Sequence, residues 1–158
     1  TRVELDGLAA KFGTAAIGGS LAANLRGPRP AYTLTAAVLG LPWQSGKVRA
    51  EGTLETAGTG EELLSNLKSE GTFSGAGLDF GALAPSRAAS GSYSLSWSPG
   101  APRLTLTDLH LRTEDETYIG RGATQDDGRL LIQLSNGARE MRMSGSLASL
   151  KVDAPARP

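Results

Sequence analysis

GKVRAEGTLET, residues 46–56, decides the fold. Val48, Ala50, Gly52 and Leu54 fall on one side of an extended chain, with Lys47, Arg49, Glu51 and Glu55 on the other. Successive strand side chains point to opposite faces, so this pattern makes one apolar face and one wet face. Antiparallel sheets with one solvated side have that character.

The same reading extends in both directions. Upstream, TAAIGGSLAANLRG aligns Ile17, Gly19, Leu21, Ala23 and Leu25, and AYTLTAAVLG aligns Tyr32, Leu34, Ala36 and Val38. Downstream, GSYSLSWS sets Tyr93, Leu95 and Trp97 against serines. RLTLTDLHLRT carries Leu104 and Leu106, then changes phase to Leu109 and Leu111, a shift that a bulge or twist near Asp108 would explain. RLLIQLSNG aligns Leu130, Ile132 and Leu134, and EMRMSGSL aligns Met141, Met143, Gly145 and Leu147. Asp127-Gly128 and Asn136-Gly137 are hairpin signals because both dipeptides tolerate positive φ. Arg26 to Pro30, Pro42 to Gly46 and Pro99 to Pro102 read as Pro/Gly turns. The expected fold is mainly β: a curved antiparallel meander, a groove-like sheet of about ten strands. Its edges are expected near Val3 to Ala9 and Met141 to Leu150, with unpaired N–H and C=O groups that favour edge-strand self-association.

One segment breaks the alternation. In TGEELLSNLKSE, Leu63, Leu64 and Leu67 are spaced as on a helix. Thr59 with Glu62 forms a capping-box pattern, Glu61 and Glu62 suit the positive end of the helix dipole, and Lys68 suits the other end. A short α-helix near 60–68 follows from this. Strand character then resumes from Ser69 to Phe80, with Phe73, Gly75 and either Leu78 or Phe80 facing inward.

Composition narrows the function. The 158 residues form one β-rich module, 1–158, with a formal net charge of zero. Nucleic acid needs a basic stripe to neutralise phosphates, so it is not an expected partner. There is no cysteine, which excludes disulfides and thiolate metal sites. No stretch nears the ~20 apolar residues that cross a bilayer as a helix. The chain starts without Met and ends in APARP, so we read it as a piece of a longer protein whose signal or anchor lies outside it.

Chemistry is sparse. His110 is the only histidine, and its place between Leu109 and Leu111 makes it a rim residue rather than a general base. Glu114, Asp115 and Glu116 read as a solvated hairpin tip, short of the ligands that calcium needs. No GxSxG, HExxH or GxxxxGK[ST] occurs. No enzyme activity, cofactor or metal is expected. What the chain offers is a long apolar face with 21 glycines and only 5% aromatics. Small residues there let a sheet curve and leave room above it. Either that face is buried in a closed or sandwiched core, or it stays an open trough for a greasy ligand.

The stretch from Leu25 to Phe80 resembles the C-terminal region of AsmA-like proteins. The pieces that carry the resemblance are Gly52-Thr53-Leu54, the turn Thr59-Gly60, Glu62-Leu63-Leu64 with Leu67, Gly71 to Gly75, and Gly77-Leu78-Asp79. It covers about a third of the chain closely. The resemblance implies an envelope protein of a Gram-negative-type bacterium, anchored in the inner membrane and facing the periplasm. Its architecture is similar to that of chorein-type bridge-like lipid transfer proteins. The implied role is phospholipid movement between inner and outer membranes, or support of outer-membrane biogenesis.

On that reading the ligand is a phospholipid or another acyl chain. The groove lining before the helix is Ile17, Leu21, Leu25, Leu34, Val38, Val48 and Leu54. After the helix it is Phe73, Leu95, Trp97, Leu104 and Leu106, then Ile132, Leu134, Met141 and Met143. Leu63, Leu64 and Leu67 cap the groove. Two rivals stand beside it: a structural or interaction β-sandwich scaffolding an envelope complex, and a carbohydrate-binding sandwich using Trp43, Trp97 and Tyr118 as stacking platforms.

Overall fold

A computed structural model of the chain describes residues 1–81, 86–98, 101–146 and 149–153. The first part of the chain forms β1 (Arg2–Phe12), β2 (Ala15–Asn24), β3 (Ala31–Trp43) and β4 (Gly46–Ala57). The helix α1 (Glu62–Ser65) follows, then β5 (Lys68–Ala76), β6 (Ala88–Ser98) and β7 (Ala101–Arg112). The last part forms β8 (Thr117–Thr124), β9 (Leu130–Ser135), β10 (Glu140–Ser146) and β11 (Ser149–Val152). All eleven strands belong to one antiparallel sheet in chain order, an open meander.

Alternation becomes register. One row across the inner face runs Leu5, Leu21, Leu34, Leu54, Ser69, Leu95, Leu104. The next runs Gly19, Ala36, Gly52, Gly71, Tyr93, Leu106, Gly122, Ile132, Met143. Its first four members carry no more than a methyl group. At the facing pair Gly52 and Gly71 this is a steric need. A Cβ on Gly71 would collide with the carbonyl oxygen of Glu51, and one on Gly52 would sit 2.6 Å from the Tyr93 hydroxyl. The Tyr93 side chain thus reaches across Gly71 to Gly52 and fills part of the space that glycine leaves.

The phase change in β7 is a bulge, as expected. Asp108 takes φ +50°, and the ladders slip between Ser90 and Ser92 on one side and between Leu106 and Leu109 on the other. Both hairpin dipeptides also form turns, with Gly128 at φ +86° and Gly137 at φ +90°. The Asn136 side-chain oxygen accepts from the N–H groups of Ala138 and Arg139, at 3.0 and 2.7 Å.

The two halves of the sheet differ in cover. After β5 the chain drops Leu78 and Phe80 onto the inner face, 1% and 3% exposed. They join Val48, Leu106, Leu109, Leu111, Tyr118, Leu130, Ile132, Leu134, Met143 and Leu150 in one buried cluster. Trp43 meets Phe80 edge to face, with ring centroids 5.8 Å apart. Each fully buried side chain of this size contributes roughly 1.5–3 kcal/mol. Across β1 to β3 the inner face is mostly half-covered, with Ala15 and Ala23 of β2 buried and Val3, Leu5 and Leu8 of β1 exposed.

The edge of β11 is closed by a side chain. The Gln44 amide donates to Leu150 O at 2.6 Å and accepts from Leu150 N at 3.1 Å. It also reaches Asp79 O at 3.0 Å, and Val152 N donates to Phe80 O at 2.9 Å. Gln44 and Ser45 form the β3–β4 turn with φ of +47° and +67°, a conformation in which L residues are strained.

Three expectations need correction. The helix is shorter than 60–68: it has four residues, Glu61 stands at its N-cap, and no side chain caps it. Glu62 is drawn instead to Arg29 at 2.8 Å, and the Asn66 side chain donates to Ala57 O at 3.0 Å, which ends the helix. Lys68, placed at the helix end by the sequence, begins β5 opposite Glu55. The terminal strand expected over Met141 to Leu150 is two strands, β10 and β11, and Leu147 lies outside the described residues. The tip of the Pro99 to Pro102 turn also lies outside them, while Pro102 sits within β7. Among the described residues β1 is an edge with β2 its single neighbour, while the other edge, β11, is bonded at Leu150 and Val152.

Gln44→Ala removes both bonds to Leu150 and leaves the β11 edge open. A loss of about 1–3 kcal/mol in urea unfolding is expected, with faster amide exchange at Leu150 and little change in β2.

Candidate functional site: an apolar trough beside a short helix

The trough is built from the half of the sheet that the chain leaves uncovered. Leu21, Leu34 and Leu54 sit side by side on β2, β3 and β4. Tyr32 and Thr56 face each other one step nearer the helix. Leu63, Leu64, Leu67 and Gly60 close the far side, and together these residues line a concavity of about 480 Å³. Small-molecule sites span about 300–1,000 Å³, so the space suits one acyl segment.

Backbone contacts hold the helix in place. The Thr56 hydroxyl donates to Leu63 O, Asn66 donates to Ala57 O, and Arg29 pairs with Glu62. α1 touches β4 and β6. Leu63 and Leu67 are half-buried against the trough, while Leu64 is 46% exposed at its rim. The leucine spacing thus delivers two side chains to the groove and leaves one on the border.

The predicted lining residues divide into groups. Ile17, Leu21, Leu34, Val38 and Leu54 lie half-covered on the open part, and Leu25 is exposed beyond the end of β2. Leu95 and Trp97 are half-buried on β6. Val48, Leu106, Ile132, Leu134 and Met143 are core residues, with Phe73, Leu104 and Met141 packed against them. The first five are buried by the protein itself and the other three partly so, as Leu78, Phe80 and Leu150 join the same cluster. The one contiguous apolar face in the sequence is two surfaces in the fold, one dry and one half-covered. Thr56 and Gly60 complete the trough although the apolar pattern does not mark them. Thr56 is polar and at a strand end, so only the position of the helix reveals it.

Of the three stacking candidates, Trp97 is half-buried on β6 and the other two are packed inward. Tyr118 is 3% exposed, and Trp43 is packed on Phe80 against the core. Among the described residues the trough lining carries no charged side chain, and its polar side chains are Tyr32 and Thr56. His110 is on the opposite face, its Nδ1 2.9 Å from the backbone oxygen of Asp108. In the hairpin cluster, Glu114 pairs with Arg87 at 3.0 Å and Glu116 with Arg139 at 3.7 Å. Among the described residues no group of His, Cys, Asp or Glu could hold a metal ion, and no helix is long and apolar enough to cross a membrane. Comparison of the chain with protein-family models, curated proteins and solved structures finds no match.

One titration is shifted by the fold. The Tyr118 hydroxyl donates to the Glu116 carboxylate, and that bond, burial and the nearby negative charge hold the phenol above its ordinary pKa; Arg139 opposes them in part. The folded chain therefore keeps this proton more tightly than the unfolded chain. The stabilisation is full below about pH 10 and is lost as pH rises through the folded value. Urea midpoints between about pH 8 and about pH 11 should fall for the parent chain, and more gently for Tyr118→Phe.

Proposed function

We propose that this chain is the hydrophobic β-groove module of an AsmA-like envelope protein, holding a phospholipid acyl chain between inner and outer membranes or in support of outer-membrane biogenesis. On this reading it faces the periplasm, and a segment outside this chain anchors it to the inner membrane. The observation that carries the proposal is the half-covered row Leu21, Leu34 and Leu54 on the inner face of β2 to β4. A chain able to cover the second half of its sheet leaves Leu21, Leu34 and Leu54 facing a concavity bordered by leucines. Each CH₂ moved from water onto such a lining gains roughly 0.8 kcal/mol. Holding a lipid this way needs no catalytic group. A single sheet in place of two packed layers also favours the groove over a sandwich.

Mass spectrometry of organic extracts from the purified chain should find phospholipid or fatty acid. Leu34→Glu should abolish the signal, while Ile119→Glu, at a site 57% exposed on the opposite face, should keep it. Lipid-free protein, or lipid retained by Leu34→Glu, would refute the groove.

A second reading, an interaction module that scaffolds a complex, is favoured by β1. In an antiparallel two-fold pairing of two β1 strands, Glu4 of one copy can oppose Lys11 of the other. The bulge between Leu5 and Leu8 then keeps inner faces together. Sedimentation velocity should show a dimer at high concentration, weakened by Glu4→Lys and restored when Lys11→Glu is added. A monomer under all conditions would remove this reading.

A further inference from the structure

We propose that the outer face of the sheet carries a cleft that binds a phosphate group. On β4, Lys47 and Arg49 project away from the core on either side of buried Val48. On β7, His110 and Arg112 do the same on either side of buried Leu111. Between these two walls lie β5 and β6, which contribute only short side chains to the floor. Ser74 is paired with Arg49 and with Ser90, which is paired in turn with His110; Ala76 is paired with Lys47, and Ala88 with Arg112. The walls are three strands apart, roughly 14 Å at ordinary strand spacing. The result is a concavity of about 630 Å³ with a cationic rim and a hydroxyl-bearing floor.

The charge distribution identifies the ligand class. Lys47, Arg49 and Arg112 line the cleft and form no ion pair among the described residues. No carboxylate lines it. The acids nearest along these strands are Glu51 and Asp108, both outside the lining, and Glu114, which is held by Arg87 at 3.0 Å; Glu116, next to Thr117, pairs with Arg139 at 3.7 Å. A chain of zero net charge has therefore gathered three unneutralised cations around one small depression. Lys47 and Arg49 stand two residues apart on one strand, so an anion entering the cleft offsets their mutual repulsion and is drawn by Arg112 from the other wall. A guanidinium offers a planar fork of donors that matches phosphate oxygens, and lysine adds a point charge. Ser74, Ser90 and Thr117 supply hydroxyl donors within the same lining. The cleft is too short for the many contacts that hold a nucleic acid. A terminal phosphate fits, whether from a soluble phosphoester or from a lipid headgroup. Because the cleft and the apolar trough lie on opposite faces, either proposal can fail without the other.

The test uses calorimetric titration of the full chain with pyrophosphate and with glycerol 3-phosphate at low ionic strength. A second arm measures co-sedimentation with phosphatidylcholine vesicles containing phosphatidate. Arg49→Ser and Arg112→Ser change exposed residues and should leave the fold intact. Each is expected to weaken binding about tenfold or more, as loss of a charge-assisted contact does, and added salt should weaken it further. Arg103→Ser, at a residue paired with Asp126 outside the cleft, should bind as the parent does. Binding of the soluble esters supports the site and makes free phosphoesters its source. Binding confined to phosphatidate vesicles supports it and makes the headgroup the source. No binding of any probe, or binding unchanged in both cleft variants, overturns it.

Discussion

The last strand of an open sheet carries backbone groups that seek partners, and here a side chain meets that demand. The Gln44 amide offers a donor and an acceptor with the spacing of a neighbouring peptide unit, and both engage Leu150. An L residue is held at positive φ so that this can happen. With β11 tied to the β3–β4 turn, the second half of the sheet bends round Leu78 and Phe80 and becomes dry. The Val152–Phe80 hydrogen bond and the edge-to-face pair of Trp43 and Phe80 work with this contact to hold the covered half together.

The trough owes its form to small residues as much as to large ones. The row through Gly19, Ala36, Gly52 and Gly71 has no side chain big enough to fill the space above it. Tyr93 covers one end, and the leucines of α1 border the other. The lining of the trough holds no charged side chain among the described residues, only the hydroxyls of Tyr32 and Thr56, whereas Lys47, Arg49 and Arg112 lie on the outer face.

Most of the architecture was legible because one rule, alternation with period two, governs most of the chain. The bulge at Asp108 could be read from a slip in phase, and the turns at Gly128 and Gly137 from dipeptide chemistry. What stayed hidden depends on contacts between residues far apart in sequence. Nothing in residues 42–46 says that Gln44 will meet Leu150, 106 positions later. Local pattern likewise cannot show that Glu62 will prefer Arg29 to a capping role, so the helix was read too long. The division of the apolar face into covered and uncovered parts was invisible for the same reason. Val48 and Leu54 look alike in sequence, yet Leu78 lands near one and not the other.

Strand order has a further meaning. Among the described residues every ladder joins strands that are neighbours in the chain, and the distant contacts of a strand are single ones such as Gln44 with Leu150 and Val152 with Phe80. Such an arrangement is nearly one-dimensional, in the way that stacked repeats are. Two strands added together at β1 would preserve which side of the ribbon is oily and would disturb no existing ladder. A single added strand would end the ribbon with its leading end at the opposite mouth. The channel's length is thus a quantity that evolution, or an engineer, can change in steps of one hairpin.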